Sequence, residues 1–184
     1  MPMLIGITGK ALSGKDTFAE ILFRNYNFLP MAFAVPLKQA AAAAYGIDLA
    51  HFHSQEGKKQ YHEVWKETNR VLLQDFGELM CERYGAGFWI RRWLIDYAGF
   101  SNTDDVVVSD VRKDVEAETI RDLGGLIVHL ERDGAGLSGK EAAHKTEQGV
   151  TKQAGDVVIW NNGTLHDLAR QADRAVAILQ GRAK

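Results

Sequence analysis

Seven residues near the amino terminus, Gly9-Lys10-Ala11-Leu12-Ser13-Gly14-Lys15, spell the pattern G-x-x-x-x-G-K. Glycines let a backbone wrap closely around a polyphosphate. The loop N–H groups and the start of a following helix meet its negative charge, and a lysine in the last position reaches the β- and γ-phosphates. The flanks give the pattern its weight: the apolar run from Met3 to Thr8 reads as a strand, and Phe18, Ala19, Ile21 and Leu22 recur at helical spacing. The residues expected to hold the phosphates are therefore Gly9, Lys10, Ser13, Gly14, Lys15, Asp16 and Thr17. Asp16 stands where a Ser or Thr hydroxyl normally touches Mg²⁺, and the threonine follows at 17. It can serve the metal, directly or through water, or act as a carboxylate placed against the helix dipole.

A second carboxylate closes the run Val106-Val107-Val108-Ser109-Asp110, with Arg112 two residues on. Sheets of the α/β type bind ligands at the carboxyl ends of their strands. An acidic residue there can organise Mg²⁺ or polarise an attacking oxygen, while Arg112 can neutralise a phosphoryl group in transfer. The alternative reading of Asp110 is a cap for the next helix. Lys15, Asp110 and Arg112 form the expected catalytic set, with Asp16 and Asp110 as the metal candidates. His51, His53 and His62 lack the partners of a known metal spacing, and no Ser, Cys or His arrangement for covalent catalysis stands out. Trp65, Trp89, Trp93 and Trp160 lie on apolar stripes and read as core or pocket wall.

Strands and helices alternate around these residues. Strands are expected at 3–8, 28–34, 106–108, 126–130 and 156–160, with a helix opening near Pro36, a long one over 61–83, and others over 89–97, 113–123 and 165–179. The three consecutive valines suit a strand buried on both faces, hence a parallel sheet with right-handed crossovers. Residues 132–155 are polar and glycine-containing without periodicity, the one long stretch able to act as a lid.

With 184 residues, of which 46% are hydrophobic and 25% charged, the chain fits a single globular domain spanning 1–184. A net charge of -2 provides no basic field for coating nucleic acid, so that class is disfavoured. The single cysteine, Cys81, suits a reducing cytoplasm. No apolar run approaches a membrane span, and no signal peptide is evident.

Taken together, the stretches LIGITGKALSGKDTFAEIL at 4–22, A-x-P-L-K at 34–38, RVLLQDFGELM at 70–80, FWIRRW at 88–93, VVVSDVRKDVEAETIRDLGGLIVHLER at 106–132 and GDVVIWNNGTLHDL at 155–168 resemble the phage-type deoxynucleoside monophosphate kinases, within the P-loop NMP-kinase group. The resemblance covers most of the chain, and the GKDT form of the loop with the DVR-x-x-x-EA segment is its most specific part. It implies an α/β, three-layer P-loop NTPase fold with a parallel five-stranded sheet, helices on both faces and a short lid. It also implies ATP and Mg²⁺ as cosubstrates, with phosphoryl transfer to a deoxynucleoside 5′-monophosphate. By position, Lys38, Arg70, Gln74, Asp110 and Arg112 would face the acceptor or the transferring group, within a helical acceptor-binding region of about 36–100 that also holds Trp89. Arg132 and Asn161 would face the ATP base and lid side. A cytoplasmic setting follows, the host cytoplasm if the gene is phage-borne, with a small deoxynucleotide as partner. The stripe on the 61–83 helix offers a homodimer face but is equally explained by the core.

The lid segment departs from the group: it offers Lys140, His144, Lys145 and Glu147 but no arginine. Residues 46–62, where acceptor choice would be shaped, also match poorly. Two rivals stay open at this level: a related kinase for another phosphorylated acceptor, such as dephospho-coenzyme A or phosphomevalonate, and an NTP-binding switch without transfer.

Overall fold

Ile5 and Ile7 leave the first strand on one face and Gly6 on the other, and this alternation sets the layers of the molecule. The computed structural model describes residues 2–100, 102–136 and 149–182. In chain order the elements are β1 (Leu4–Thr8), α1 (Lys15–Tyr26), β2 (Leu29–Met31), α2 (Ala34–Tyr45), α3 (Leu49–His53), α4 (Gln55–Lys59), β3 (Tyr61–His62) and β4 (Glu67–Thr68). They continue with α5 (Asn69–Tyr84), α6 (Phe88–Ala98), β5 (Val106–Val108), α7 (Asp114–Asp122), β6 (Leu126–Glu131), β7 (Val157–Trp160) and α8 (Leu165–Arg182). The chain divides into two compact units, Met1–Ala32 with Tyr97–Lys184, and Phe33–Asp96.

The first unit holds the five-stranded sheet, ordered β2-β5-β1-β6-β7 and parallel throughout. Ile5, Ile7, Val107, Leu126, Val128, Leu130 and Ile159 form one face and are sealed by Phe18 and Leu22 of α1 with Leu168, Ala172, Ala175 and Val176 of α8. On the opposite face a Cβ at Gly6 would meet Ile120 Cδ1 at 2.5 Å, so α7 lies close against β1 there. Burial of these branched aliphatic side chains at about 25 cal/mol per Å² is the main force holding the three layers together. The valines of β5 are fully buried, as a central strand requires. β1 lies between β5 and β6, so the loop after β1 is flanked by the loops after both neighbours.

The second unit is helical, with a two-stranded antiparallel ribbon of β3 and β4. The helix expected from Tyr61 begins instead at Asn69. Residues 61–68 form the ribbon: Lys66 turns with φ 57, and Thr68 Oγ1 accepts from Val71 N at 3.4 Å to cap α5. Asn69 is fully buried and donates from Nδ2 to Gly57 O at 2.9 Å. Tyr61 and Thr68, an aromatic and a β-branched residue paired across the ribbon, suit strands, and local hydrogen bonding prevailed over an apparent helical stripe. Val64, which would lie on the apolar stripe of a helix over 61–83, is 75% exposed. α5 runs unbroken through Gly77. Among the described residues, no helix is long and apolar enough to cross a membrane.

Candidate active site

The phosphate loop is fixed by backbone too close for side chains. β1 ends at the buried Thr8, and Gly9 follows with φ 151. A Cβ on Gly9 would lie 2.2 Å from the carbonyl oxygen of Leu130 in β6, so the loop rests directly on the neighbouring strand. Gly14 caps α1 in the left-handed conformation, φ 99, where other residues are strained. A Cβ there would lie 2.4 Å from Asn161 Nδ2, which donates to Ser13 O at 2.8 Å. Asn161 follows β7, and its own N–H bonds Glu131 O at 2.7 Å, so the far strand of the sheet supports the loop.

Lys15 opens α1 and turns back over the loop, donating from Nζ to Gly9 O at 2.7 Å and Lys10 O at 2.8 Å. Its ammonium thus sits where the loop and the start of a twelve-residue helix bring positive potential together. The Ser13 hydroxyl is buried, without a hydrogen-bond partner among the described residues. Asp16 and Thr17 are exposed on the first turn of α1. Beside the loop opens a cavity of about 480 Å³ with Gly9, Lys10, Ser13, His129, Arg132 and Trp160 in its wall. That volume lies within the usual range of small-molecule sites, about 300–1,000 Å³. A cavity of about 530 Å³ lies elsewhere, against Met3, Gly125 and Ile127. Its charged residues, Arg121 and Asp156, already pair with each other.

Asp110 and Arg112 lie between β5 and α7. Val111 between them is 1% exposed, and its N–H bonds Ile7 O at 3.3 Å, which ties this connection to β1. Asp110 is half-buried and Arg112 exposed. Glu116, in the first turn of α7, accepts from Arg112 N at 2.8 Å and Lys113 N at 3.0 Å. Burial raises the Glu116 pKa, the two N–H donors counter it, and the nearby Asp110 charge raises it further. Sequence reasoning quoted Glu116 in a motif without giving it a task. The glutamate three residues beyond Lys113, at a helix start, was the available signal.

Behind the loop cavity, His129 Nε2 meets Asp156 Oδ2 at 2.8 Å, and Arg121 grips the same carboxylate through Nε at 3.0 Å and Nη2 at 2.7 Å. Burial pushes the Asp156 pKa up, but the Arg121 hydrogen bond, Gln153 N–H and His129 outweigh it and hold the group at about 2. Asp156 reaches His129 across 27 residues and Arg121 across 35, and the cluster escaped sequence reasoning. A histidine inside the apolar buried run 126–130 was its trace in the sequence.

Lys38, Arg70, Gln74 and Trp89 belong to the helical unit. Arg70 and Gln74 are exposed one turn apart on α5, and Arg70 Nη2 donates to Gln55 Oε1 at 3.1 Å. Trp89 is half-buried and donates from Nε1 to Gly77 O at 3.1 Å. His53 titrates below the usual range because of burial, then the Lys38 and Lys58 charges, so the imidazole of α3 lies near two ammonium groups, from α2 and α4. Of the tryptophans, Trp93 is fully buried, whereas Trp160 is 60% exposed. The lid residues Lys140, His144, Lys145 and Glu147 lie outside the described residues.

A family model described as deoxynucleotide monophosphate kinase matches residues 47–172, more than half of the chain. The chain belongs to the deoxynucleotide monophosphate kinase family. The deoxynucleotide monophosphate kinase of Enterobacteria phage T4 is 23% identical over 96% of this chain and 99% of that protein. A protein of Acanthamoeba polyphaga mimivirus whose name carries the same activity is 29% identical over 92% of this chain and 93% of its own. Among solved structures, TT1252 from Thermus thermophilus superposes with a TM-score of 0.57 at 20% identity, covering 96% of this chain and 97% of that one. A gluconokinase from Sinorhizobium meliloti gives 0.50 at 15% identity, covering 99% and 95%. At these identities the structural likeness establishes the three-layer fold, and the family model establishes a deoxynucleotide monophosphate kinase, a phosphotransferase.

In this deoxynucleotide monophosphate kinase the Asn161 side chain is the link between β7 and the loop. Asn161→Ala is expected to weaken ADP binding about tenfold, as loss of one supporting hydrogen bond of ~1 kcal/mol or more implies, without unfolding the chain. Isothermal titration of both proteins with ADP checks this.

Proposed function

We propose that the chain transfers the γ-phosphoryl group of ATP to a deoxynucleoside 5′-monophosphate, releasing ADP and the deoxynucleoside diphosphate. The observation that carries the reading is the phosphate loop, seated on β6 too tightly for a side chain at Gly9, in a chain of this family. ATP phosphates lie on the loop N–H groups, with Lys15 at the β- and γ-phosphates. Arg132 and Asn161 serve the nucleoside and lid side, with Lys10, Ser13 and Thr17 on the phosphates.

An oxygen of the acceptor phosphate attacks the γ-phosphorus in line. A new P–O bond forms while the bond to the β,γ-bridging oxygen breaks, and its electron pair leaves with ADP. Lys15 and Arg112 follow the negative charge as it moves, and Asp110 orients the reacting groups from the end of β5. Lys38, Arg70, Gln74 and Trp89 are the proposed acceptor residues, with the Lys58 charge near that of Lys38. Catalysis here is mainly positioning and charge.

Mg²⁺ fits the donor set in kind. Asp16, Asp110 and Thr17 offer hard oxygens, and a Mg²⁺ that keeps several waters needs only one or two carboxylates beside the phosphates. Held by Asp16 and Asp110, the ion would neutralise charge on the β- and γ-phosphates.

ADP formation with Mg-ATP and dAMP, dGMP, dCMP, dTMP or 5-hydroxymethyl-dCMP tests the reading, beside dephospho-coenzyme A and phosphomevalonate. Turnover that depends on one or more of the deoxynucleotides is expected. Turnover with only one of the other acceptors, or nucleotide binding without turnover, would replace it.

A further inference from the structure

The connection that carries Asp110 and Arg112 is pinned at two points. Val111 is buried and bonded through its N–H to β1 at Ile7 O, 3.3 Å away. Downstream, one oxygen of Glu116, Oε2, accepts from both Arg112 N at 2.8 Å and Lys113 N at 3.0 Å. Between these pins the backbone of residues 111–113 has little freedom, and the directions in which Asp110 and Arg112 leave it are set by it. The side chain doing this comes from the first turn of α7, a helix whose Ala117 and Ile120 are fully buried. The clamp therefore refers the two working side chains to the core.

We propose that Glu116 is a positioning residue for the transfer step, holding the Asp110–Arg112 connection so that both side chains meet the reacting phosphates. This rests on the roles proposed above for Asp110 and Arg112. An ordinary helix-capping carboxylate would also accept N–H bonds at this place, but it would affect stability alone. A clamp affects the rate of the folded enzyme, because a displacement of about 1 Å at a reacting group costs on the order of 100-fold.

Reach and charge separate cleanly in three variants. Glu116→Gln keeps a carbonyl oxygen at the same distance and loses the charge, Glu116→Asp keeps the charge and falls one methylene short, and Glu116→Ala loses both. The experiment is steady-state kinetics with saturating Mg-ATP and the preferred acceptor, with melting temperature and ADP affinity measured on each protein. Glu116→Asp and Glu116→Ala are expected to lower kcat roughly 10- to 100-fold, with ADP affinity unchanged and Glu116→Gln close to wild type. The proposal is overturned if Glu116→Asp keeps its rate while Glu116→Gln loses it, or if the variants lose melting temperature but not kcat. Arg112→Ala run in parallel distinguishes the two levels. Unchanged turnover in Arg112→Ala would remove the site reading itself, whereas a slow Arg112→Ala beside a fast Glu116→Asp would remove only the clamp.

Discussion

Replacing Lys15 by alanine is expected to lower kcat for phosphoryl transfer by roughly 100- to 1,000-fold, the usual cost of removing one fixed donor from a site of developing charge. The lysine is held at the mouth of the loop by Gly9 O and Lys10 O. Its ammonium is therefore ordered before any phosphate arrives and loses little further entropy on meeting one. Those two bonds are local and partly exposed, so the variant should fold with a stability change within about 1 kcal/mol. Rapid-quench kinetics and thermal melting of the same sample read the two quantities separately. An unchanged rate would mean that the charge of the transferring group is met elsewhere.

The largest expected loss of stability comes from Asp156→Ala. The Asp156 side chain is 5% exposed and pairs with Arg121, 16% exposed, and His129, 5% exposed. Removing the carboxylate leaves a guanidinium whose buried Nη1 already lacks a partner among the described residues. Breaking a buried pair from one side costs about 3–5 kcal/mol, or roughly 10 °C in melting temperature for a domain of this size. The same carboxylate makes a pH prediction. Its folded pKa, about 2, lies below the ordinary 3.8. Above the ordinary value both states are ionised and the contribution is complete. As pH falls the unfolded chain takes up the proton first, and the contribution disappears as pH approaches 2. A shift of this size is worth roughly 2 kcal/mol. Urea titrations of wild type at pH 7, 4 and 2.5 should show the decline, and Asp156→Ala should show a shallower one.

Much of this was legible in the chain because the signals were local. The loop glycines, Lys15 and the apolar run before them lie within a dozen residues. Three consecutive valines announced β5, and the alternation of strands and helices announced the parallel sheet. The resemblance that named the kinase group agrees with the family model over residues 47–172. What the sequence withheld was built from distance. Asn161 reaches Ser13 across 148 residues, and Asp156 gathers Arg121 and His129 from two other elements. The ribbon at 61–68 was read as helix because Val64 falls in line with Leu72 and Phe76 of α5, whereas a single buried amide, Asn69, closing on Gly57 decides the boundary. Glu116 was visible as a letter in a motif, but its two N–H contacts depend on how the backbone turns after Val111.

The most direct test of the central claim follows the phosphorus itself. ATP labelled at the γ-position is incubated with the chain, Mg²⁺ and each deoxynucleoside monophosphate in turn, and the products are separated by anion-exchange chromatography. Label is expected in the β-phosphate of a deoxynucleoside diphosphate, formed in step with ADP and nearly absent with Lys15→Ala. Label found only in ATP, or only in inorganic phosphate, with every deoxynucleotide would contradict it.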